Sequence, residues 1–552
     1  MSDVGRDQDE ATRFLSAAVH LDPRLADRFI NEFLAEPKRS VPPSPGVQAE
    51  LVLREAVAAR AQRRKLNAYV VGGAVVFLLA AAPLMMGWLL SALSWRLLAR
   101  VVAKFGPAGS GSVGRSSNWA LTATLWWLLS FLWAWPLAAG YVLLGLNDSA
   151  TVMISLSVAL VAALGIYLTL TYELFVPWQT ATAYFRFHAY DPSVSRRADI
   201  MAACARYEKR LRRIAAEDAR RAVDSSGEVI VYRGDAPFLG AGNLVRSWSS
   251  AFQLRAKDDT AAEVPRFRPS ELQDYVSARV AELTKAEFLT PGSRFNEATV
   301  TQWAIVPAWQ LPYQRRADAM LHALESDTDP VLGNRDWAEL ADCSPEWMRY
   351  FRCFRVEGWG RQLGVSGYLH VGCVERMLVV EWHGFVLAPI AGRFRGVDRP
   401  PPNLELKALG QAASALALLP LNLVARTLDL WRSISGSEGS GGRWSSPTEA
   451  AEVFGSRASM RELAAGLRLN SFFQESDSDR YLKIMERCVL DAIQKFLEER
   501  GIAAEGLREM VTQINNSTVL NNSQVIAGNV GGTGNIGSID NKQGAADGAG
   551  TE

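Results

Sequence analysis

The sequence predicts a multi-pass α-helical membrane region joined to a cytoplasmic α+β domain with an antiparallel sheet and to a helical C-terminal unit. The membrane region is predicted because the 107 residues from Leu66 to Tyr172 contain only five charged side chains. The sheet is predicted by apolar segments of strand length between residues 347 and 390. The C-terminal unit is predicted by an apolar stripe at helical spacing beyond a Gly/Ser-rich linker.

Charge and composition narrow the classes of function. The 59 Lys and Arg nearly balance the 58 Asp and Glu, so no nucleic acid is expected as a partner. The uneven distribution of charge excludes a wholly soluble globular protein, a disordered chain and a small disulfide scaffold. The patterns divide the chain into a cytoplasmic helical arm (1–65), a transmembrane region (66–178), a basic helical extension (179–223), an α+β domain (224–402), an amphipathic or interfacial helix (403–432), a flexible linker (433–445), a helical C-terminal unit (446–511) and an Asn/Gly-rich tail (512–552).

Three uncharged runs predict the membrane segments. They cover 66–95, 116–147 and 149–172, and each exceeds the roughly 20 residues that cross about 30 Å of hydrocarbon. Within the transmembrane region they correspond to segments 66–103, 116–147 and 149–176. The lipid bilayer is therefore the first expected partner. A coupled transporter is disfavoured because the runs contain no ionisable group at mid-depth, whereas an oligomeric pore stays open as an alternative.

Basic residues predict the orientation of the chain. Clusters of Arg and Lys lie before the first run, between the first and second runs, and after the third, and such clusters tend to remain in the cytoplasm. A hairpin bent at Pro83, with legs 67–83 and 84–103, keeps both early clusters inside. The alternatives are a re-entrant pair and a single long tilted helix that Pro83 merely kinks, so the region has three or four segments. The prediction is an inner (plasma) membrane protein with most of its soluble mass in the cytoplasm.

The amino-terminal part and the extension after the third run are predicted to be helical. A helix over 10–34 is divided or capped at Pro23, and the arm that contains it is interpreted as a small regulatory or packing element. Residues 183–223 form an arginine-rich helix. Its arginines either bind anionic lipid headgroups or are ordinary topology charges on a solvated helix.

The α+β domain begins with a strand at 229–232, and a second strand is predicted at 248–254. The glycines of the intervening segment 234–243 suggest a phosphate loop, but no Walker spacing and no Lys-Ser/Thr pair is present. A glycine-rich hairpin loop is therefore the favoured interpretation. A helix is predicted at 269–285, with Ser270 as the candidate N-cap.

Three further strands, at 350–356, 363–371 and 377–387, predict an antiparallel meander. It contains four residues of types that bind zinc: Cys353, His370, Cys373 and His383. Residues three apart on a continuous strand point to opposite faces, so His370 and Cys373 can share an ion only if Gly372 marks a bulge. Structural side chains are favoured over a zinc site, and no metal, cofactor or catalytic residue is assigned.

The remaining segments are predicted from composition. Residues 404–431 are alanine-rich with polar residues in the middle, which indicates a helix on the headgroups or on other domains. Helices are predicted at 458–467 and 481–499. In the tail, 513–539 is uncharged and alternates Asn, Gly and Ser with single β-formers. It is read as a disordered polar segment, as a β-arcade packed in an oligomer, or as a cross-β signalling segment.

Four segments near the carboxyl end resemble one group of proteins. They are Ser459-Met-Arg-Glu-Leu-Ala, Asn470-Ser-Phe-Phe-Gln, Arg480-Tyr-Leu-Lys-Ile-Met-Glu and Phe496-Leu-Glu-Glu-Arg-Gly. Together with the Asn/Gly tail they resemble uncharacterised multi-pass membrane proteins of high-GC Gram-positive bacteria. Similar tails look like the amyloid-type adaptor motifs of some bacterial immune systems. The resemblance brings no activity with it.

These observations predict an integral membrane protein whose cytoplasmic domain serves sensing or interaction. One alternative is a membrane-disrupting effector triggered by self-assembly of the tail, with a homo-oligomer formed through the helices and the tail. The other is an enzyme with an unrecognised site, for which the spacing of residues supplies no nucleophile, base and orienting group.

Overall fold

The computed structural model describes residues 3–105, 149–223, 227–257, 264–284, 295, 298–434 and 444–503. The helices are α1 (Asp3–Leu21), α2 (Pro23–Phe29), α3 (Ala49–Ala80), α4 (Ala82–Phe105), α5 (Ser149–Tyr184), α6 (Ala198–Cys204), α7 (Glu208–Val223), α8 (Pro269–Glu282), α9 (Asp318–Glu325), α10 (Asn334–Asp342), α11 (Leu404–Ala417), α12 (Leu419–Ile434), α13 (Pro447–Phe454), α14 (Met460–Ala464) and α15 (Phe472–Glu499). The strands are β1 (Glu228–Tyr232), β2 (Asn243–Gln253), β3 (Thr299–Pro307), β4 (Arg349–Gly358), β5 (Leu363–Val374) and β6 (Met377–Leu387). The second uncharged run (116–147), most of the linker (433–445) and the tail (512–552) lie outside the described residues.

The amino-terminal arm divides at Pro23, as the sequence predicts. Asp22 caps α2 by accepting hydrogen bonds from the N–H groups of Arg24 (3.0 Å) and Leu25 (3.4 Å), and Pro23 occupies the first helical position, where no N–H is needed. A π-helical turn, Ile30–Leu34, follows α2. The arm is well packed, because Leu15, Phe29 and other apolar residues are buried in a core shared with α3, α6 and α7.

One described helix is long and apolar enough to cross a membrane alone. This helix spans Val152–Tyr184 within α5, with a mean hydropathy of 2.2, and only 17% of its most apolar window is buried. Two bent helix pairs, Ala49–Ala80 with Ala82–Leu97 and Leu404–Ala417 with Leu419–Trp431, raise the number of candidate spans to three if each pair is one span. The criteria are length and composition.

The helical region is sharply bent where the sequence predicts a break. The break lies at Ala81, two residues before Pro83, and α3 and α4 form an angle of 120°. Large apolar side chains on the outer faces are exposed, among them Leu79 (82%) and Leu160 (72%). Side chains of this kind are stabilised by lipid and destabilised by water, so the surface agrees with membrane association.

The segment predicted as one interfacial helix is divided into α11 and α12, which form an angle of 89°. Pro420 stands near the start of α12, where its ring does not interrupt helical hydrogen bonds. Trp88 Nε1 donates a hydrogen bond of 3.1 Å to the carbonyl of Ala417, one of the acceptors left open at the bend. Both helices pack on α3, α4 and α5 through a shared apolar cluster that includes Ala412 and Leu419.

Polar side chains join this bent pair to the other helices near their charged ends. Arg426 of α12 forms an ion pair of 3.0 Å with Glu173 of α5 and a hydrogen bond with Asn67 of α3. Asn67 also donates to Asp429 at 3.3 Å. The charges lie at or beyond the ends of the uncharged runs, which is where ionisable groups are tolerated beside a bilayer.

The sheet has six strands in the order β1-β3-β4-β5-β6-β2. The meander of β4, β5 and β6 agrees with the prediction, but the sheet is mixed and not antiparallel, because β1 pairs in parallel with β3. The sequence did not predict β3 as a strand. The long connection between β1 and β3, which contains β2 and α8, lets the chain return in the same direction.

Helices cover one face of the sheet. The apolar stripe of α15, including Met485, Val489 and Ile493, packs with α8 on β4, β5 and β6, so this helix contributes to the core of the α+β domain. Ser270 is not the N-cap of α8. The N-cap is Arg268 and Pro269 is the first helical residue, while the Ser270 N–H donates to Asp342 at 3.0 Å.

Candidate functional site

The face of the sheet opposite α15 carries a polar cluster that is partly open. Side chains in register across the strands form rows, and one row runs from Cys353 through Tyr368 and His383 to Ser247. Cys353 and Tyr368 are buried, whereas Ser247 on β2 is exposed. Burial therefore decreases toward β2, and the polar end of the row lies at the edge of the sheet.

The neighbouring row places a second histidine and a carboxylate beside the first. Phe351, His370 and Glu381 are adjacent across β4, β5 and β6, and the Phe351 ring lies 5.6 Å from His370 and 5.9 Å from His383. His370 Nδ1 donates to the carbonyl of Tyr350 at 2.8 Å. Because a carbonyl can only accept, Nε2 is the acceptor nitrogen of the neutral His370 ring.

The environment of His383 favours its neutral form. Burial lowers the pKa of His383 below its ordinary value, and His370 and Arg349 act in the same direction, while Glu381 opposes them. Ser247 Oγ shares a hydrogen bond of 2.8 Å with His383 Nδ1. The neutral form of the His383 imidazole is therefore favoured beside the Arg349 guanidinium and the Glu381 carboxylate, a surface suited to polar recognition.

The Ser247, His383 and Glu381 side chains do not form a linked nucleophile, base and acid. The distance from His383 Nε2 to Glu381 Oε2 is 3.8 Å, which is longer than a hydrogen bond. The serine also approaches Nδ1 on an open strand, without a helix N-terminus beside it. The arrangement supports binding more than group transfer.

The four zinc-type residues are divided between the two faces. Cys353, His370 and His383 share the open face, whereas Cys373 packs with the apolar cluster on the helix-covered face. Gly372 continues the regular pairing with Val379, so no bulge turns Cys373 toward His370. Among the residues that the structure describes, no group of three or more His, Cys, Asp or Glu side chains is arranged to hold a metal ion.

Beside this face, β2 is an edge strand whose outer side pairs with no other strand of the described residues. The Leu254 N–H donates to the carbonyl of Arg376, the residue before β6, so the backbone groups of Leu254 point toward β6. Backbone groups alternate in direction along an antiparallel strand. Those of Ser247, Ser249, Ala251 and Gln253 therefore point away from β6. None of these outward groups bonds to a described residue. The other edge of the sheet is different, because Ser456 bridges the outer side of β1.

The glycine-rich segment 234–243 is not a hairpin loop, because β1 and β2 lie at opposite edges of the sheet. It crosses the open face, and Phe238 packs on Tyr368 at 4.6 Å. The N–H groups of Gly240 and Gly242 both donate to Glu462 Oε1, at 2.8 and 2.9 Å. Converging amides of this kind bind anions, and here a carboxylate of the chain occupies them.

A set of buried and half-buried arginines, which we call the arginine junction, connects the amino-terminal arm to the α+β domain. It comprises Arg39, Arg210, Arg213, Arg221 and Arg233. Arg210 donates to the carbonyls of Phe33, Pro37 and Arg39 at 3.0, 2.8 and 2.5 Å. Burial lowers the pKa of Arg210 to about 9, and the guanidinium stays protonated at neutral pH.

The prolines near residue 42 explain why arginines are needed there. A Val41-Pro-Pro-Ser-Pro segment cannot form a regular hydrogen-bonded element, yet its buried carbonyls require donors. Arg221 donates to the carbonyl of Val41 at 2.6 Å, and Arg213 pairs with Asp329 at 2.6 Å. The predicted headgroup-binding stretch thus directs several of its arginines to acceptors within the protein.

Comparison with known protein families finds a match to the AbeC-like domain over residues 247–534, slightly more than half of the chain. The chain belongs to the AbeC-like family. The AbeC-like region begins at Ser247, so it contains the open face from β2 to β6, together with Glu462 and α15. The glycine segment, β1 and the arm precede it. No curated protein and no solved structure matches the chain.

The sequence alone did not identify this polar cluster as a binding site. Ser247, Arg349, His370, Glu381 and His383 of the AbeC-like region come from four strands and follow no motif spacing. A local signal was available for Glu381 and His383, which are two residues apart and therefore share a face of β6.

Proposed function

We propose that this AbeC-like protein is a multi-pass protein of the inner membrane whose cytoplasmic α+β domain acts as an interaction or sensing scaffold. The observation that carries the proposal is the outer side of the eleven-residue strand β2, which lies beside the polar open face and which no other described strand covers. An extended segment of a partner adds to such an edge through main-chain hydrogen bonds, and adjacent side chains supply specificity.

The membrane part of the proposal is supported by hydropathy and charge. The exposed apolar surface of α3 and α5 suits lipid, and the basic clusters that flank the uncharged runs favour a cytoplasmic α+β domain. The break between α3 and α4 fits the hairpin with two legs. Four segments, with 116–147 as the third, keep the arm and the domain on one side of the membrane.

The arginine junction supports the scaffold role. It ties the arm, and through α3 the membrane helices, to the elements that hold the sheet. A partner bound along β2 is consequently held at a fixed position relative to the bilayer. This geometry suits a protein that localises another molecule or reports its arrival.

Proline substitutions distinguish the outer side of β2 from its paired side. Ser249→Pro removes an N–H that points outward, whereas Ser250→Pro removes one that pairs with β6. We expect Ser249→Pro to abolish strand addition and to change the free energy of unfolding by about 1 kcal/mol or less, while Ser250→Pro destabilises by about 3 kcal/mol. Photo-crosslinking from Ser247 in cells, with Arg335 on α10 as the control position, measures strand addition.

Two results would contradict this proposal. One is that Ser249→Pro leaves the cross-links from Ser247 unchanged. The other is that the cross-links from Ser247 and Arg335 are equal in pattern and yield, since an exposed residue far from the sheet edge would then serve equally well.

A second candidate function is self-assembly through the tail, and one observation favours it. After α15 the chain returns beside β2: Lys257 N donates to the carbonyl of Gly501 at 2.8 Å, and Ala503 N donates to that of Arg255 at 2.9 Å. The backbone groups of Arg255 and Lys257 point outward, as do those of Ser249, Ala251 and Gln253 in β2. The described chain therefore ends at Ala503 beside this edge, where a β-forming segment of a second copy can add.

A labelled peptide with the sequence of residues 513–539 tests self-assembly. We expect the peptide to bind the protein truncated after Thr512 and to lose binding when that protein carries Ser249→Pro. Fluorescence anisotropy in detergent measures the binding. A scrambled peptide is the control. Equal binding of the scrambled peptide, or no binding of the native one, excludes tail addition at β2. Membrane leakage on induced expression that requires the tail would extend assembly to the effector role.

A further inference from the structure

A basic pocket lies at the start of α2, outside the sheet and outside the arginine junction. Its volume is about 380 Å³, and its lining residues are Asp22, Pro23, Arg24, Leu25, Arg28 and Arg393. Leu25 is buried and forms apolar wall, while the three arginines are exposed. The pocket thus combines a shaped cavity with three guanidinium groups from two separate parts of the chain.

The positive charge of the pocket is not neutralised by the described protein. None of the Arg24, Arg28 and Arg393 side chains forms a hydrogen bond or an ion pair with a described residue. The Arg393 guanidinium lies over the Phe394 ring, 4.5 Å from its centroid. Asp22 is the one acidic lining residue, and its Oδ1 already accepts from two α2 amides. Three positive charges therefore face one partly occupied carboxylate.

This lack of partners contrasts with several other arginines of the region. In the basic stretch after α5, Arg196, Arg212, Arg213 and Arg220 all contact carboxylates, and Arg210 contacts carbonyls. Three guanidinium groups around one cavity with a single acidic lining residue form a site suited to an anion.

The surroundings place the pocket beside the ends of the membrane helices. Asp27 of α2 pairs with Arg63 at 2.9 Å, and Arg63 precedes the first uncharged run by three residues. On the other side, the turn Gly392–Asp398 that carries Arg393 is held by Arg13, which bonds both Asp398 (2.8 Å) and the carbonyl of Phe185 after α5. Both walls are therefore anchored where a bilayer surface would lie.

We infer that this pocket binds the phosphate of an anionic phospholipid headgroup. A phosphodiester carries one negative charge and several acceptor oxygens, which guanidinium groups bind in bidentate geometry. The volume admits a phosphate with its glycerol, and Leu25 in the lining offers apolar surface to the glycerol carbons. The inference does not depend on strand addition at β2.

Short-chain lipids test the inference on the full chain in dodecyl maltoside. Dioctanoyl phosphatidylglycerol should raise the thermal midpoint, whereas dioctanoyl phosphatidylcholine and inorganic phosphate should not. Each Arg→Gln change at 24, 28 or 393 should raise the half-saturating lipid concentration roughly fivefold, and the triple change roughly a hundredfold. Arg335→Gln, an exposed arginine on α10, is the matched control and should have no effect.

Three outcomes would overturn the inference. Unchanged protection of the triple variant would show that the anion binds elsewhere. Equal protection by phosphatidylcholine would show that only the acyl chains bind, and equal protection by inorganic phosphate would identify a soluble anion as the ligand. The midpoints without lipid report folding, and because the three side chains are exposed, all variants should share the wild-type midpoint.

Discussion

Replacing Arg210 by Met is expected to destabilise the protein by about 3–5 kcal/mol, because three carbonyls, two of them in buried hydrogen bonds, lose their donor at once. Methionine keeps the length and the apolar contacts of the side chain, so the change isolates the hydrogen bonds. The measurement is the urea midpoint in detergent, followed by tryptophan fluorescence. Limited proteolysis should in addition cleave the variant faster near Val41, because the arginine junction no longer holds the proline segment.

Arg212→Met provides the control on the same helix. Arg212 is exposed and pairs with Glu208 one turn away, an interaction worth about 0.5 kcal/mol or less. Burial disfavours the charged form of Arg210 and lowers its pKa. The arginine junction therefore stabilises the protein only if the hydrogen bonds to carbonyls contribute more free energy than burial of the charge costs. If Arg210→Met lowers the free energy of unfolding by less than about 1 kcal/mol, water must replace the guanidinium as the donor to these carbonyls.

Gly242→Ala is expected to cost about 3 kcal/mol or more, because strain and steric overlap act together. Gly242 has φ +92°, and a Cβ there would lie 2.4 Å from the carbonyl oxygen of Val386 and 2.5 Å from Leu387 Cα. Backbone atoms of β6 cannot move aside without shifting the strand. The change should also move the Gly242 N–H away from Glu462 and loosen the crossing of the open face.

Gly234→Ala separates the two effects in the same segment. Gly234 has φ +83°, but nothing lies within 4 Å of its Cβ position, so the expected cost is the conformational one of about 1 kcal/mol. Urea midpoints of the two variants give the comparison. Equal losses would assign the effect to φ alone and would show that the segment does not need its close contact with β6.

The periodic parts of the fold were predictable from local sequence. Strand lengths and β-formers predicted β4, β5 and β6 within a few residues, and the stripe through Met485, Val489 and Ile493 is buried as its spacing indicates. The breaks at Pro23 and near Pro83 follow from the geometry of proline. Each of these features depends on residues within one or two turns of one another.

The pairing of the sheet and the composition of the site were not predictable. Nothing in the β1 sequence distinguishes a parallel neighbour from an antiparallel one, and the glycines after it suggest a hairpin that the fold does not contain. The open face takes Ser247 from one edge and His370 from the middle of the sheet. Their proximity results from strand order.

By itself, the sequence determined which segments are apolar enough for lipid, which strongly periodic segments are strands or helices, and where prolines break them, since hydropathy and backbone preference are local properties. The tertiary structure decided what the polar groups bind. Arg210 meets carbonyls more than 170 residues away, and Glu462 meets the amides of Gly240 and Gly242 more than 200 residues away. Such partners are set by packing geometry, because a buried polar group bonds whatever acceptor or donor the folded chain brings within reach.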